Sequence, residues 1–175
     1  MHRLASRLGE TPELAKRLWL EVPEYGVFQN LENFRILSAL LKPVGCRIGI
    51  EHVGHQVAHI GELHDLGLDY LKIDGSFIRN LASDNVNQAM VTAMIKLARS
   101  LNFQVIAEQV EDLSALDSVR RMGVDFVQGY QVGRPQPLAQ RRAGGQQHRV
   151  VQVDRTVGRQ RGRRPHRAAV RHRPS

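Results

Sequence analysis

Between Trp19 and Tyr130 short apolar runs alternate with stretches of helical period, and this alternation restricts the chain to strand–helix units around a parallel sheet. The predicted strands are 18–22, 47–50, 70–73, 105–107 and 126–127, and their Val, Ile and Leu content suits strands buried on both faces. Helices are predicted over 31–41, 60–66, 85–101 and 113–122. In the third of these, Ala89, Ala93, Met94, Leu97 and Leu101 recur at helical spacing and are expected to face the core. The fold class is α/β.

Each predicted strand carries or runs into polar side chains: Glu21, then Glu51-His52, then Lys72 and Asp74, then Glu108, then Gln128. Any one of them alone is equally well explained as a solvated strand-end charge. Five strands in succession are not, because the carboxyl ends of parallel strands gather at one face, where residues distant in sequence meet over a ligand. Carboxylates with a lysine and an amide suggest a Mg²⁺ or Mn²⁺ site acting on a phosphate ester.

Several classes are excluded or disfavoured. No stretch reaches the roughly 20 uninterrupted apolar residues of a membrane span, and the amino terminus opens no signal-peptide core. A cytoplasmic domain is expected, in a parent protein that can be membrane-anchored. The single cysteine, Cys46, lies in an apolar run and reads as a packed thiol. The net charge of +8 is unevenly spread: residues 139–175 hold 11 arginines and one acid, Asp154, so the remaining body is slightly acidic. Nucleic acid is therefore not the expected partner of the body. The tail lacks Leu, Ile, Phe, Trp, Tyr, Met and Lys and cannot bury a core. It reads as a basic arm for RNA or anionic lipid, as a solvated disordered segment, or as out-of-frame translation of a GC-rich gene; the last best accounts for the abrupt change of composition.

Four segments carry a resemblance to a known family: Leu20-Glu21-Val22-Pro23-Glu24, Leu71-Lys72-Ile73-Asp74, Val105-Ile106-Ala107-Glu108-Gln109-Val110-Glu111 and Gln128-Gly129-Tyr130-Gln131-Val132-Gly133-Arg134-Pro135. In order and spacing they resemble the EAL family of cyclic-di-GMP phosphodiesterases, from about Leu18 to Leu138. The resemblance implies a modified (βα)8 barrel of the TIM type and hydrolysis of cyclic di-GMP to linear pGpG with Mg²⁺ or Mn²⁺. Position by position it implies Glu21 as a metal ligand, and Lys72 and Glu108 as catalytic residues, the lysine beside the attacking water and the glutamate as general base. On the substrate side it implies Glu24, steadying the neighbouring loop, with Glu111 and Gln128 shaping the ligand site. Asp74 would orient Lys72 or bind metal.

The match departs at one place above all. Where the family has two adjacent aspartates and Phe-Gly-Thr-Gly, this chain has Glu51-His52-Val53-Gly54-His55-Gln56. Glu51 and His52 can both ligate, but glutamate displaces the carboxylate by a methylene and neutral histidine brings no charge and favours softer metals. Gln109 also replaces a family glycine. A zinc cluster of His52, His55, His59 and His64 is disfavoured, because His59 and His64 do not share a helix face and no cysteine completes a set. The Glu-His loop resembles degenerate, receptor-type EAL domains that hold cyclic di-GMP without cleaving it.

The family's opening Glu-Ala-Leu segment and a later strand-end asparagine would both precede Met1. About five of the eight strands are recognisable, so a partial EAL domain over 1–138 is expected, with exposed sheet edges and a strip of core. Such a chain is expected to associate, to aggregate, or to be part of a longer product. Taken together, binding of cyclic di-GMP with weak or no hydrolysis is the expected function; an active phosphodiesterase and a non-functional gene fragment are the alternatives. Expected partners are a second EAL domain and attached sensory or GGDEF-type domains.

Overall fold

The computed structural model describes residues 2–134 and 151–152. Two helices, α1 (His2–Gly9) and α2 (Pro12–Ala15), precede β1 (Trp19–Pro23), and two more, α3 (Glu24–Gln29) and α4 (Leu31–Leu41), lead to β2 (Arg47–Val53). A 3-10 helix, Val57–Leu63, connects to β3 (Tyr70–Ile73), followed by α5 (Gly75–Ile78) and α6 (Asn85–Ser100). The chain continues with β4 (Gln104–Ala107), α7 (Leu113–Met122), β5 (Phe126–Val127) and β6 (Val151–Gln152). The sheet runs β1 to β6 in chain order, with β1 to β5 parallel and β6 antiparallel to β5.

The parallel sheet at the predicted places follows from the alternation of apolar runs and helical segments, but several bounds differ. The first strand starts one residue later than predicted, and β2 runs on through Glu51 and His52 to Val53. The segment predicted as a helix over 60–66 is the 3-10 helix Val57–Leu63, close in sequence to Gly54, Gly61 and Gly67. The helix-facing stripe in α6 is also different. Val91, Met94, Ile95 and Ala98 are buried, whereas Ala89 and Ala93 are exposed and Leu97 is 40% exposed. Both sets have helical spacing, and the set with the branched side chains is the one that removes more apolar area from water.

Residues 151–152 belong to the Arg-rich tail and pair with β5. The rest of that tail, and with it the three readings of its composition, lies outside the described residues. On the opposite side β1 has no strand partner among the described residues.

Polar caps fix the helix starts. Asn30 accepts the Asn33 N–H, Asp84 accepts those of Val86 and Asn87, and Asp112 accepts that of Ala115. Helix α7 ends on Gly123 at φ 85°, a left-handed conformation that glycine adopts at little cost.

The period of two along the strands sorts the sheet into two faces. Ile48, Ile50, Leu71, Ile73, Val105, Ala107 and Val127 join the helices in one hydrophobic core, together with Cys46. The alternate residues line the other face. There Trp19 packs against Tyr70 with ring centroids 5.0 Å apart and planes tilted by 40°, and meets Phe126 edge-on at 6.0 Å. Arg47 lies over the Trp19 ring and donates to Gln104, and the Tyr70 hydroxyl donates to the Leu20 carbonyl. Trp19 is on β1 and Phe126 on β5, which in a flat sheet would stand about 19 Å apart at the usual strand spacing. Their contact shows that the sheet is curled into a trough, with the aromatic layer at the amino ends of the strands. Two residues further along the same strands, the polar layer begins.

Candidate functional site

Residues two on from the aromatic layer point into the same trough, which brings Glu21 and Lys72 onto the face of Trp19 and Tyr70. Lys72 is 2% exposed and forms the centre of the polar layer. Its Nζ donates to Oε2 of Glu21 at 2.8 Å and to Oε1 of Glu108 at 2.7 Å, while Oε2 of Glu51 is 3.9 Å away. Burial alone would push the Lys72 ammonium down, but its hydrogen bonds to Glu108 and Glu21 outweigh burial and hold it above its ordinary value. Burial likewise pushes the Glu51 carboxyl up, against the pull of Lys72.

A bulge brings His52 to the same place. The β2–β3 register pairs Ile50 with Leu71 and Val53 with Ile73, so β2 holds one residue more than β3 in that interval. His52 absorbs the excess at φ 56°, a left-handed conformation uncommon outside glycine but one that histidine, asparagine and aspartate adopt more often than other residues. Adjacent strand residues ordinarily face opposite ways, yet here Glu51 approaches Lys72 while His52 Nδ1 lies 3.0 Å from Oδ2 of Asp74 and 3.4 Å from Oε2 of Glu108. Burial would raise the Asp74 carboxyl, but hydrogen bonds from Ser76 and His52 bring it below its ordinary range.

His52, Asp74 and Glu108 bring one ligand atom each within 4.8 Å of one another. The set fits a divalent cation. Oε2 of Glu108, on a residue 7% exposed, is buried with no hydrogen-bond partner, because the His52 contact is not aligned as a hydrogen bond. A buried anionic oxygen without a donor is the kind of group that a cation satisfies. The amide oxygen Oε1 of Gln128 is also buried without a partner; Gln128 lies just past β5, where its carbonyl accepts the Val110 N–H.

The expected site residues therefore divide. Lys72, Glu21, Glu51, Glu108, His52 and Asp74 come together in one connected cluster. Within it, Glu21 and Glu51, expected as metal ligands, lie on the Lys72 side, whereas Glu108, expected as a base, joins His52 and Asp74. Glu24 is 3% exposed and serves the loop after β2: Oε1 accepts the Gly54 N–H and Oε2 accepts those of His55 and Gln56, each at 3.1 Å. Both its oxygens are thus taken by backbone, which leaves it a positioning role in place of direct contact with a ligand. Glu111 is exposed and makes no hydrogen bond or ion pair to the cluster. The remaining histidines of the disfavoured zinc cluster are dispersed: His55 packs on Phe77, His59 bonds Glu62 and His64 bonds the Gly61 carbonyl.

Two features were not read from the sequence. The bulge is one, and its signal was the Gly54 that follows it, at φ 142° with the Phe77 ring against its Cα. The other is Gln109, at φ 51° with its side chain against Gly75; the family glycine at that position was the signal for left-handed backbone.

The chain matches the EAL domain over residues 1–135. It is similar to the cyclic di-GMP phosphodiesterase PdeF of Escherichia coli (strain K12), 38% identical over 124 residues that cover 71% of this chain and 17% of that protein. Among solved structures it resembles the PaMucR phosphodiesterase in its c-di-GMP complex, with a TM-score of 0.67 and 33% identity over 71% of this chain and 51% of that one. The Xanthomonas citri FimX EAL domain in complex with c-diGMP gives a TM-score of 0.67 and 29% identity, over 74% of this chain and 51% of that one. The chain thus spans about half of these structures and a small part of its curated relative. EAL domains have a TIM-barrel-like fold, to which the five parallel strands and the helices outside them correspond. By family match, relatives and fold alike, the chain belongs to the EAL domain family.

Proposed function

We propose that this chain binds cyclic di-GMP at the strand-end cluster in bacterial second-messenger signalling, with weak or no hydrolysis. The observation that carries the reading is His52, which stands where the family has an aspartate and lies 3.0 Å from Asp74 and 3.4 Å from Glu108. An imidazole in place of a carboxylate keeps a ligand atom but removes a negative charge, and so weakens the hold on a hard cation such as Mg²⁺.

The chain's own residues suit a phosphodiester. The Lys72 ammonium has three N–H groups; Glu21 and Glu108 take two, and the third is available to a phosphate oxygen or to water. Gln128 offers a buried amide oxygen to a donor on the ligand. Glu24 holds the backbone of residues 54–56 beside the cluster and limits the loop's freedom before any ligand arrives. His52, Asp74 and Glu108 are the residues that would hold Mg²⁺ or Mn²⁺, and such a cation would offset phosphate charge and acidify water.

A second reading, an active phosphodiesterase, is favoured by one observation: Glu108 keeps Oε1 on Lys72 and Oε2 free of hydrogen bonds, which suits a base that takes a proton from water. In a longer protein the domain would work with attached sensory or GGDEF-type domains and pair with a second EAL domain. The test is calorimetric titration of cyclic di-GMP into the full chain with Mn²⁺, followed by chromatography of the nucleotide. Intact ligand after binding is the expected result. Conversion to linear pGpG would establish the second reading, and absence of binding would end both.

A further inference from the structure

We propose that His52, Asp74 and Glu108 form a cation site selective for a nitrogen-seeking transition ion, with Zn²⁺ bound well ahead of Mg²⁺. The donor set is one imidazole nitrogen and two carboxylate oxygens, all within 4.8 Å of one another. Mg²⁺ is held by oxygen ligands and keeps much of its water, whereas imidazole suits Zn²⁺ and its neighbours in the transition series.

One observation independent of donor identity points to a bound cation. Oε2 of Glu108 is buried and unpartnered, so that an anionic oxygen has lost water and gained no donor. The β2 bulge places His52 at φ 56°, and from there Nδ1 lies 3.0 Å from Asp74 and 3.4 Å from Glu108. The ammonium of Lys72, bonded to the other oxygen of Glu108, opposes any cation. It is balanced by Glu21 and Glu51 on its far side. Histidines elsewhere do not compete as a set among the described residues: His55, His59 and His64 each have a separate partner.

The inference rests on the cyclic di-GMP reading only for the purpose of the site, and its test needs no dinucleotide, so the two can fail separately. Zn²⁺ and Mg²⁺ are titrated calorimetrically into the full chain and into His52→Asp and His52→Asn, both of which tolerate left-handed backbone. Circular dichroism establishes that the variants fold, and Co²⁺ absorbance reports the ligand field independently. The expected Zn²⁺-to-Mg²⁺ affinity ratio is on the order of a hundredfold in the wild-type chain and falls by about tenfold or more in His52→Asp. His52→Asn is expected to remove the Co²⁺ bands belonging to this site. Ratios and bands unchanged in both folded variants would overturn the proposal.

Discussion

The Lys72 ammonium lies 2.7 Å from Oε1 of Glu108, with the lysine 2% and the glutamate 7% exposed. The pair joins β3 to the end of β4 at the floor of the site, and each partner makes the other's burial tolerable. Removing one leaves an uncompensated charge, which costs more than the intact pair contributes.

Replacing Lys72 by Met is therefore expected to destabilise the chain by about 3 kcal/mol, the usual cost of breaking a buried ion pair. Urea unfolding measures it. The double variant Lys72→Met, Glu108→Gln is expected to recover part of the loss; equal or greater loss would show that the two residues do not act as a pair.

Glu24 is the sole side chain that ties the 54–56 backbone amides together through hydrogen bonds among the described residues. Glu24→Ala is expected to cost about 2–3 kcal/mol, because charge-assisted bonds to three amides are lost at a buried position. Amide hydrogen exchange at Gly54, His55 and Gln56 is expected to rise above the global opening rate. Protection that stays unchanged would mean that the loop is held by something else.

Gly49 lies against the Tyr70 ring, so that a Cβ there would come within 2.2 Å of Cε2 and 2.4 Å of Cδ2 and Cζ. Gly49→Ala is expected to displace Tyr70 from Trp19 and from the Leu20 carbonyl, lowering stability by about 1–3 kcal/mol as overpacking does. Thermal unfolding together with near-ultraviolet circular dichroism of the aromatic layer would register both effects.

Asp112 caps α7, and hydrogen bonds from Ser114 and from the Ala115 backbone hold its carboxyl below the ordinary carboxylate range. A depressed folded value means that the cap stabilises above the ordinary value and that this contribution disappears as pH falls through the lower one. Asp112→Ala is expected to unfold more readily than wild type at neutral pH, and the gap is expected to close below about pH 4. A gap independent of pH would assign the cap's effect to backbone conformation instead of charge.

The fold was legible where the pattern was strong. The sequence of apolar runs located all five parallel strands, and the helices over 31–41 and 113–122 have the predicted bounds. It failed where two patterns competed, as in α6, whose two stripes differ in side-chain size and not in period. It also failed for α2, α3 and α5, which at four to six residues are too short to show a period, and for α1, whose helical period was not read. At the candidate site, the convergence of Glu21, Glu51, Lys72 and Glu108 was readable from their places at strand ends, because strand ends on a parallel sheet gather at one face whatever their order. Grouping was not. That Glu108 keeps company with both Lys72 and His52 depends on the bulge, which no local spacing encodes.

The extra residue in β2 gives the site a property that a regular strand could not have. Neighbours in sequence deliver side chains to the same hollow, Glu51 toward Lys72 and His52 toward Asp74 and Glu108. The backbone supplies two addresses, and the side chain at each decides the charge or the donor element found there. Chemistry at this mouth is in that sense exchangeable, and a single codon is enough to trade an oxygen for a nitrogen.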